Sequence, residues 1–330
     1  MIDREMLYDM AYALAARDGR EAVLFGDCAS LAHEAFVRSL VGNDFPELWF
    51  ELPLAGAPWF DLHALASFES LGPNTTFAAQ TCGGNPDAFT WFAAQKQGVR
   101  QLALSWDVSA GNIDCPAIQL LVNTKDVQIT CDFLAAVGRD DAVPAYRAFA
   151  ERLPQNWFAC YTGVFPKRRV PFLRVECIPH VSLQSAYAED ASLLQAHLSQ
   201  AGLDGLGDTV LSRCQALAAT PFRLEFQFDI DAQGCAGSTF GASVRFASPP
   251  GTDACRAFEP DGEAGSLMRQ VEDWGLADGR WHLLADTAFA KRIEFAGEAA
   301  RIFCHPAFLK LRWRDGEPLD AKAYLMAGTR

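Results

Sequence analysis

The stretch Phe308-Leu309-Lys310-Leu311-Arg312-Trp313-Arg314-Asp315-Gly316, with its continuation Ala321-Lys322-Ala323-Tyr324-Leu325-Met326, decides how this chain is read. Leu309, Leu311 and Trp313 alternate with Lys310 and Arg312. On the other side of the break, Ala321, Ala323 and Leu325 alternate with Lys322, Tyr324 and Met326. A period of two places the apolar set on one face of a sheet and the polar set on the other. Arg314-Asp315-Gly316 is a tight-turn signal, so the two runs form a hairpin.

The same alternation recurs upstream. Leu224, Phe226, Phe228 and Ile230 alternate with Arg223, Glu225, Gln227 and Asp229, and Ala242, Val244 and Phe246 alternate with Ser243 and Arg245. Leu173, Val175 and Cys177 stand against Arg174, Glu176 and His180. Leu48, Phe50 and Leu52 stand against Trp49 and Glu51, with Asp61 and His63 on the next strand. Helical periodicity falls between these pairs. It covers Ser30–Val41, Pro86–Gln97, Val127–Val137 with Val143–Leu153, Ala188–Ala201 with Asp208–Ala218, and Ala264–Trp274 with Trp281–Ala290. First strands begin near residues 47, 101, 157, 223 and 308, and no Pro/Ser-rich linker separates the rounds. A single domain over residues 1–330 is expected.

Five helix–strand–strand rounds give ten antiparallel strands, an α+β architecture. Closing that sheet into a ten-stranded β-barrel removes its edges, and the helices cover its outside. An open sheet with helices on one face shows the same alternation, and two domains are the third arrangement. The strand number and the polar face favour closure, because that face mixes Arg, Lys, Glu, Asp, His, Trp and Tyr instead of simple solvent-facing residues.

Composition narrows the function. Half of the 330 residues are apolar and 21% are charged, which excludes a disordered or low-complexity chain. With 28 basic against 41 acidic side chains the net charge is −13, so nucleic acid is not an expected partner. No long uncharged run suits a membrane span, and Met1-Ile2-Asp3-Arg4-Glu5 is acidic where a targeting peptide is basic; a cytoplasmic protein without a membrane partner is expected. The ten cysteines form no CxxC pair and read as buried reduced thiols.

In this arrangement the chain resembles the aromatic prenyltransferase barrel (αββα, PT-barrel) family from Ser30 to Met326. Lys322-Ala323-Tyr324 is similar to the K-x-Y motif that indole-type members carry on second strands. Arg174 and Arg245 stand at comparable places, followed two residues on by Glu176 and Ala247 instead of tyrosine. The resemblance implies transfer of a prenyl group from an isoprenoid diphosphate to an aromatic small molecule or peptide side chain. Glu51 is similar in placement to the acid that deprotonates the acceptor.

The residues themselves fit such a site. Arg174, Arg245, Lys310, Arg312 and Lys322 would converge in the lumen, where forked guanidiniums and point-charge ammoniums suit a diphosphate. Trp49, Phe172 and Tyr324 would form an aromatic wall around the cation and acceptor. No D-D-x-x-D motif is present, so no metal and no cofactor is expected. Asp61, Asp107, Glu176, Glu225 and Asp229 share the same face, which leaves a second reading of the charges as salt bridges tying strands together. A non-catalytic barrel binding a hydrophobic or anionic ligand, or a peptide, is the alternative function. His63 follows Asp61 by two residues as a further acid/base pair, and Pro249–Gly265 is a candidate loop over one barrel mouth.

Overall fold

Period-two alternation becomes strand pairing along the whole chain. The computed structural model describes residues 18, 20–28, 47–66, 87–95, 97–108, 112–166, 172–246, 261–295 and 297–329. Its strands are β1 (Glu47–Pro53), β2 (Asp61–Ala66), β3 (Val99–Asp107), β4 (Asn112–Val122), β5 (Trp157–Val164), β6 (Leu173–Pro179), β7 (Arg223–Ile230) and β8 (Ala236–Arg245), then β9 (Phe289–Phe295), β10 (Glu298–Arg314) and β11 (Glu317–Thr329). β1 to β8 pair in sequence order, β8 pairs with β10, β10 with β11, and β11 returns to β1. All of these pairings are antiparallel. The return register, with Glu51 opposite Tyr324 and Leu48 opposite Ala327, closes a ten-stranded barrel.

The outer face is the core. Leu309, Leu311 and Trp313 are buried with Leu224, Phe226, Phe228, Leu173 and Val175 under the helices. These are α1 (Asp87–Ala94), α2 (Val127–Ala136), α3 (Val143–Arg152), α4 (Val181–Glu189), α5 (Ala191–Gln200), α6 (Asp208–Ala218) and α7 (Glu263–Asp273). Phe133, Phe149, Leu194, Leu198 and Leu217 supply their inward faces. The turn at Asp315-Gly316 has positive φ at both residues, +53° and +81°, as a two-residue hairpin matched to strand twist requires. None of the described helices is long and apolar enough to cross a membrane.

Two sequence expectations change. The sequence predicts ten strands and a helix over Trp281–Ala290; the structure ends that helical stretch at Asp286 and adds β9, an eleventh strand. β9 pairs with the N-terminal half of β10, whereas β8 pairs with the C-terminal half. Its lysine, arginine and glutamate are exposed, so no buried face disciplines the alternation that would have marked it. The helix expected over Ala188–Ala201 is two helices joined at Asp190, whose carboxylate accepts from the Ser192 and Leu193 amides and caps α5. The helix expected over Ser30–Val41 and most of the loop expected over Pro249–Gly265 lie outside the described residues.

Candidate functional site

The inner face of the barrel surrounds a cavity of about 350 Å³. Alternation aims every second residue of each strand at it, so its chemistry follows from which residue stands opposite which. Arg174, Arg245, Lys310, Arg312, Lys322, Glu51, Trp49 and Tyr324 all line it. Lys310 and Arg312 therefore face inward while Leu309, Leu311 and Trp313 face the helices.

Four of the five expected cations are already paired with carboxylates. Arg174 lies opposite Asp229 and makes a two-pronged contact at 2.7 and 3.1 Å. Arg312 lies opposite Asp320 and is held by both of its oxygens. Arg245 lies 3.5 Å from Glu225, whose carboxyl is pushed up to about 7 by burial and by the neighbouring Glu176. Lys322 lies 2.6 Å from Glu51 and 3.8 Å from Asp61, with its ammonium 4.6 Å over the Trp59 ring. The five are thus split: Arg245 groups with Arg100, Arg223 and Glu225, whereas Arg174 and Arg312 act on Lys310.

Lys310 differs from the other four. It stands directly opposite Lys322, a like-charge pairing that costs stability unless the charges are offset. Glu51 offsets Lys322. Lys310 donates instead to the neutral Tyr324 hydroxyl at 3.1 Å, and among the described residues no carboxylate lies within ion-pair distance of it. Burial pulls its ammonium down to about 8, with Arg174 and Arg312 pulling the same way and Glu51 opposing them.

Glu51 is the hub of the adjoining wall, across β11 from Lys310. Burial alone would raise its carboxyl, but the Lys322 ammonium and a hydrogen bond from His63 more than offset this and hold it well below the usual carboxylate range. His63 Nε2 is 3.1 Å from Glu51 Oε2, and His63 Nδ1 is 2.5 Å from Ser105 Oγ. Burial and the adjacent Glu51 charge push Asp61 up to about 6 against the pull of Lys322. That has a consequence for stability. Between about pH 4 and pH 6 the folded protein holds the Asp61 proton more tightly than the unfolded chain does, so this group's contribution is present at low pH and is lost as pH rises through the window. The loss is on the order of 2–3 kcal/mol. Asp61→Asn should remove it, and urea midpoints measured from pH 4 to pH 8 should show the variant gaining on wild type as pH rises. A constant difference would refute the assignment.

The aromatic wall is only partly the expected one. Trp49 packs on Phe308 at 5.1 Å and on Tyr324 at 6.4 Å, and Arg245 lies 4.5 Å over Phe308. Phe172 is a correction: its ring lies 4.4 Å under the Arg139 guanidinium and is absent from the cavity lining. β6 begins at Leu173, so strand phase does not extend back to Phe172. Tyr161, Phe165 and Phe308 line the cavity instead. Phe308 shares the phase of Lys310 and was legible. Tyr161 follows a bulge between Ala159 and Tyr161, which breaks simple alternation. Ser105 and Gln119 also line the cavity, and nothing in the sequence marked them as site residues.

Two crystal structures of the prenyltransferase PriB superpose on this barrel. One is a binary complex with product diphosphate, and the other is a ternary complex with L-tryptophan and dimethylallyl thiolodiphosphate. Each gives a TM-score of 0.54 over 98% of this chain and 96% of that chain, at 14% identity. The fold is the prenyltransferase barrel. No protein-family model and no curated protein matches the sequence. In this barrel all the cavity-lining residues but Phe165 and Phe246 lie on the paired strands.

Proposed function

We propose that this barrel transfers a prenyl group from an isoprenoid diphosphate to an aromatic acceptor, either a small molecule or a peptide side chain. The observation that carries the reading is Lys310, a buried ammonium facing the cavity, flanked by Arg174 and Arg312 and met by a phenol instead of a carboxylate. An anion bound there would raise the Lys310 pKa and complete its coordination. Arg174 and Arg312, held in place by Asp229 and Asp320, present remaining guanidinium edges to the same anion. Lys322, directly opposite Lys310, and Arg245, its diagonal neighbour on β8, add to the field. Trp49, Phe308 and Tyr324 offer π-faces to a developing allyl cation. Glu51 enters as the carboxylate that holds Lys322 and His63.

Lys310→Met keeps the apolar stem and removes the charge. It should weaken binding of dimethylallyl diphosphate about 10- to 100-fold, the equivalent of about 1.5–3 kcal/mol for a charge-assisted hydrogen bond. Calorimetric titration at two salt concentrations is the measurement. Unchanged affinity in Lys310→Met, or no binding by wild type, would remove the reading.

The paired state of the other four cations favours one second reading, a non-catalytic barrel that binds an anionic or hydrophobic ligand. Slow release of diphosphate from dimethylallyl diphosphate without an acceptor separates the two, since a binding protein leaves the C–O bond intact.

A further inference from the structure

We propose that Ser105, His63 and Glu51 form a proton relay across three adjacent strands, in which Ser105 takes the proton that the aromatic acceptor loses on alkylation. This rests on the prenyl-transfer reading and names the group that completes it. The trio is built by strand register. Ser105 on β3 stands directly opposite His63 on β2, and His63 is the diagonal neighbour of Glu51 on β1, whose direct partner is Asp61. All three side chains line the cavity and are largely buried: the residue exposures of Glu51 and Ser105 are 7% and 5%, and the His63 side chain is 16% exposed.

The carboxylate fixes the direction of the first hydrogen bond. Glu51 Oε2, held as a carboxylate, can only accept, so the His63 nitrogen 3.1 Å away carries the proton. The relay takes the neutral ring, in which His63 Nδ1 is the bare nitrogen and the Ser105 hydroxyl 2.5 Å away donates to it. The Ser105 oxygen keeps its lone pairs for the cavity. Glu51 is a poor proton acceptor here, because the Lys322 ammonium at 2.6 Å from Oε1 and the His63 hydrogen bond to Oε2 hold its carboxyl well below the usual range. Its role is positioning: it sets the imidazole tautomer and stabilises the imidazolium.

The step balances as follows. The C–O bond of the prenyl diphosphate breaks, and its electron pair leaves with the diphosphate. The acceptor atom forms its bond to the prenyl C1. The proton on that acceptor atom passes to Ser105 Oγ as the serine's own proton passes to His63 Nδ1, leaving an imidazolium paired with Glu51.

Two measurements test this. The first uses dimethylallyl diphosphate with L-tryptophan and counts alkylated product per diphosphate released. Ser105→Ala and His63→Gln should lower that ratio about 100-fold while acceptor-free diphosphate release stays within a few-fold of wild type. Ser105→Thr, which keeps the hydroxyl and suits a strand, should restore it. A retained ratio in Ser105→Ala, or an equal fall in both readouts, would overturn the relay and leave diphosphate chemistry standing. No diphosphate release by wild type would remove the prenyl-transfer reading and the relay together. The second is nitrogen-15 NMR of the His63 ring in the wild-type protein, which should show Nε2 protonated and Nδ1 bare. The opposite tautomer would overturn the relay whatever the turnover.

Discussion

A variant carrying both Glu51→Gln and Asp61→Asn should be about 3–5 kcal/mol less stable than the wild-type protein. Both carboxylates face Lys322, whose side chain is 4% exposed. Removing them strands a buried ammonium on which, among the described residues, the Trp59 face remains as a compensating contact. Each single substitution should cost far less, because the surviving carboxylate takes over. In Glu51→Gln the charge that pushes Asp61 up is gone, so at neutral pH Asp61 stands fully ionised against Lys322 at 3.8 Å. The double-mutant cycle should therefore show a coupling of about 1–3 kcal/mol. Adding Lys322→Met, which replaces the stranded charge with an apolar side chain of similar length, should recover most of the loss. Equilibrium urea unfolding at neutral pH measures all four variants. Additive singles, or no recovery in the triple variant, would show that Lys322 does not depend on this carboxylate pair.

Asp229→Ala should be comparably severe, about 3–5 kcal/mol, because it leaves the Arg174 guanidinium unpaired with a side chain only 12% exposed. The contact is two-pronged and directly cross-strand, so no neighbouring register position can substitute. The loss carries a signature specific to the proposed anion site. A freed Arg174 beside Lys310 makes the folded state a stronger anion binder, so inorganic pyrophosphate should raise the melting temperature of Asp229→Ala more than that of wild type. At 100 times its dissociation constant a ligand returns about 2.7 kcal/mol. Arg174→Leu in the same background should remove the pyrophosphate effect and regain stability. Equal pyrophosphate shifts in wild type and Asp229→Ala would separate Arg174 from any anion site.

These two expectations rest on pairings that alternation alone could not supply. Arg174, Glu176, Glu225 and Asp229 were all assignable to the inner face from the sequence, and so were Lys310, Arg312 and Lys322. Their partners were not. Arg174 could have met Asp229 or Glu225, and Glu51 could have met any of five cations. The cavity-facing aromatics show the same boundary. Phe308 follows from the phase of Lys310, but Phe172 leaves that phase one residue before its strand begins, and Tyr161 follows a bulge that shifts it.

The sequence by itself determined the faces of β1, β6, β7, β8 and the last hairpin, because burying one side of a sheet under helices demands an apolar residue at every second position. It also determined the last hairpin, since Asp315-Gly316 tolerates the positive φ values that a two-residue turn imposes. Tertiary structure alone decided that the sheet closes, through the pairing of β11 with β1 across most of the chain's length. Closure is what brings Glu51 onto Lys322, whereas the last hairpin by itself sets Lys310 against Tyr324. The physical reason is range: alternation is a local constraint that each strand meets alone, whereas the charge state of a buried ammonium depends on groups within about 4 Å that come from strands far apart in the sequence.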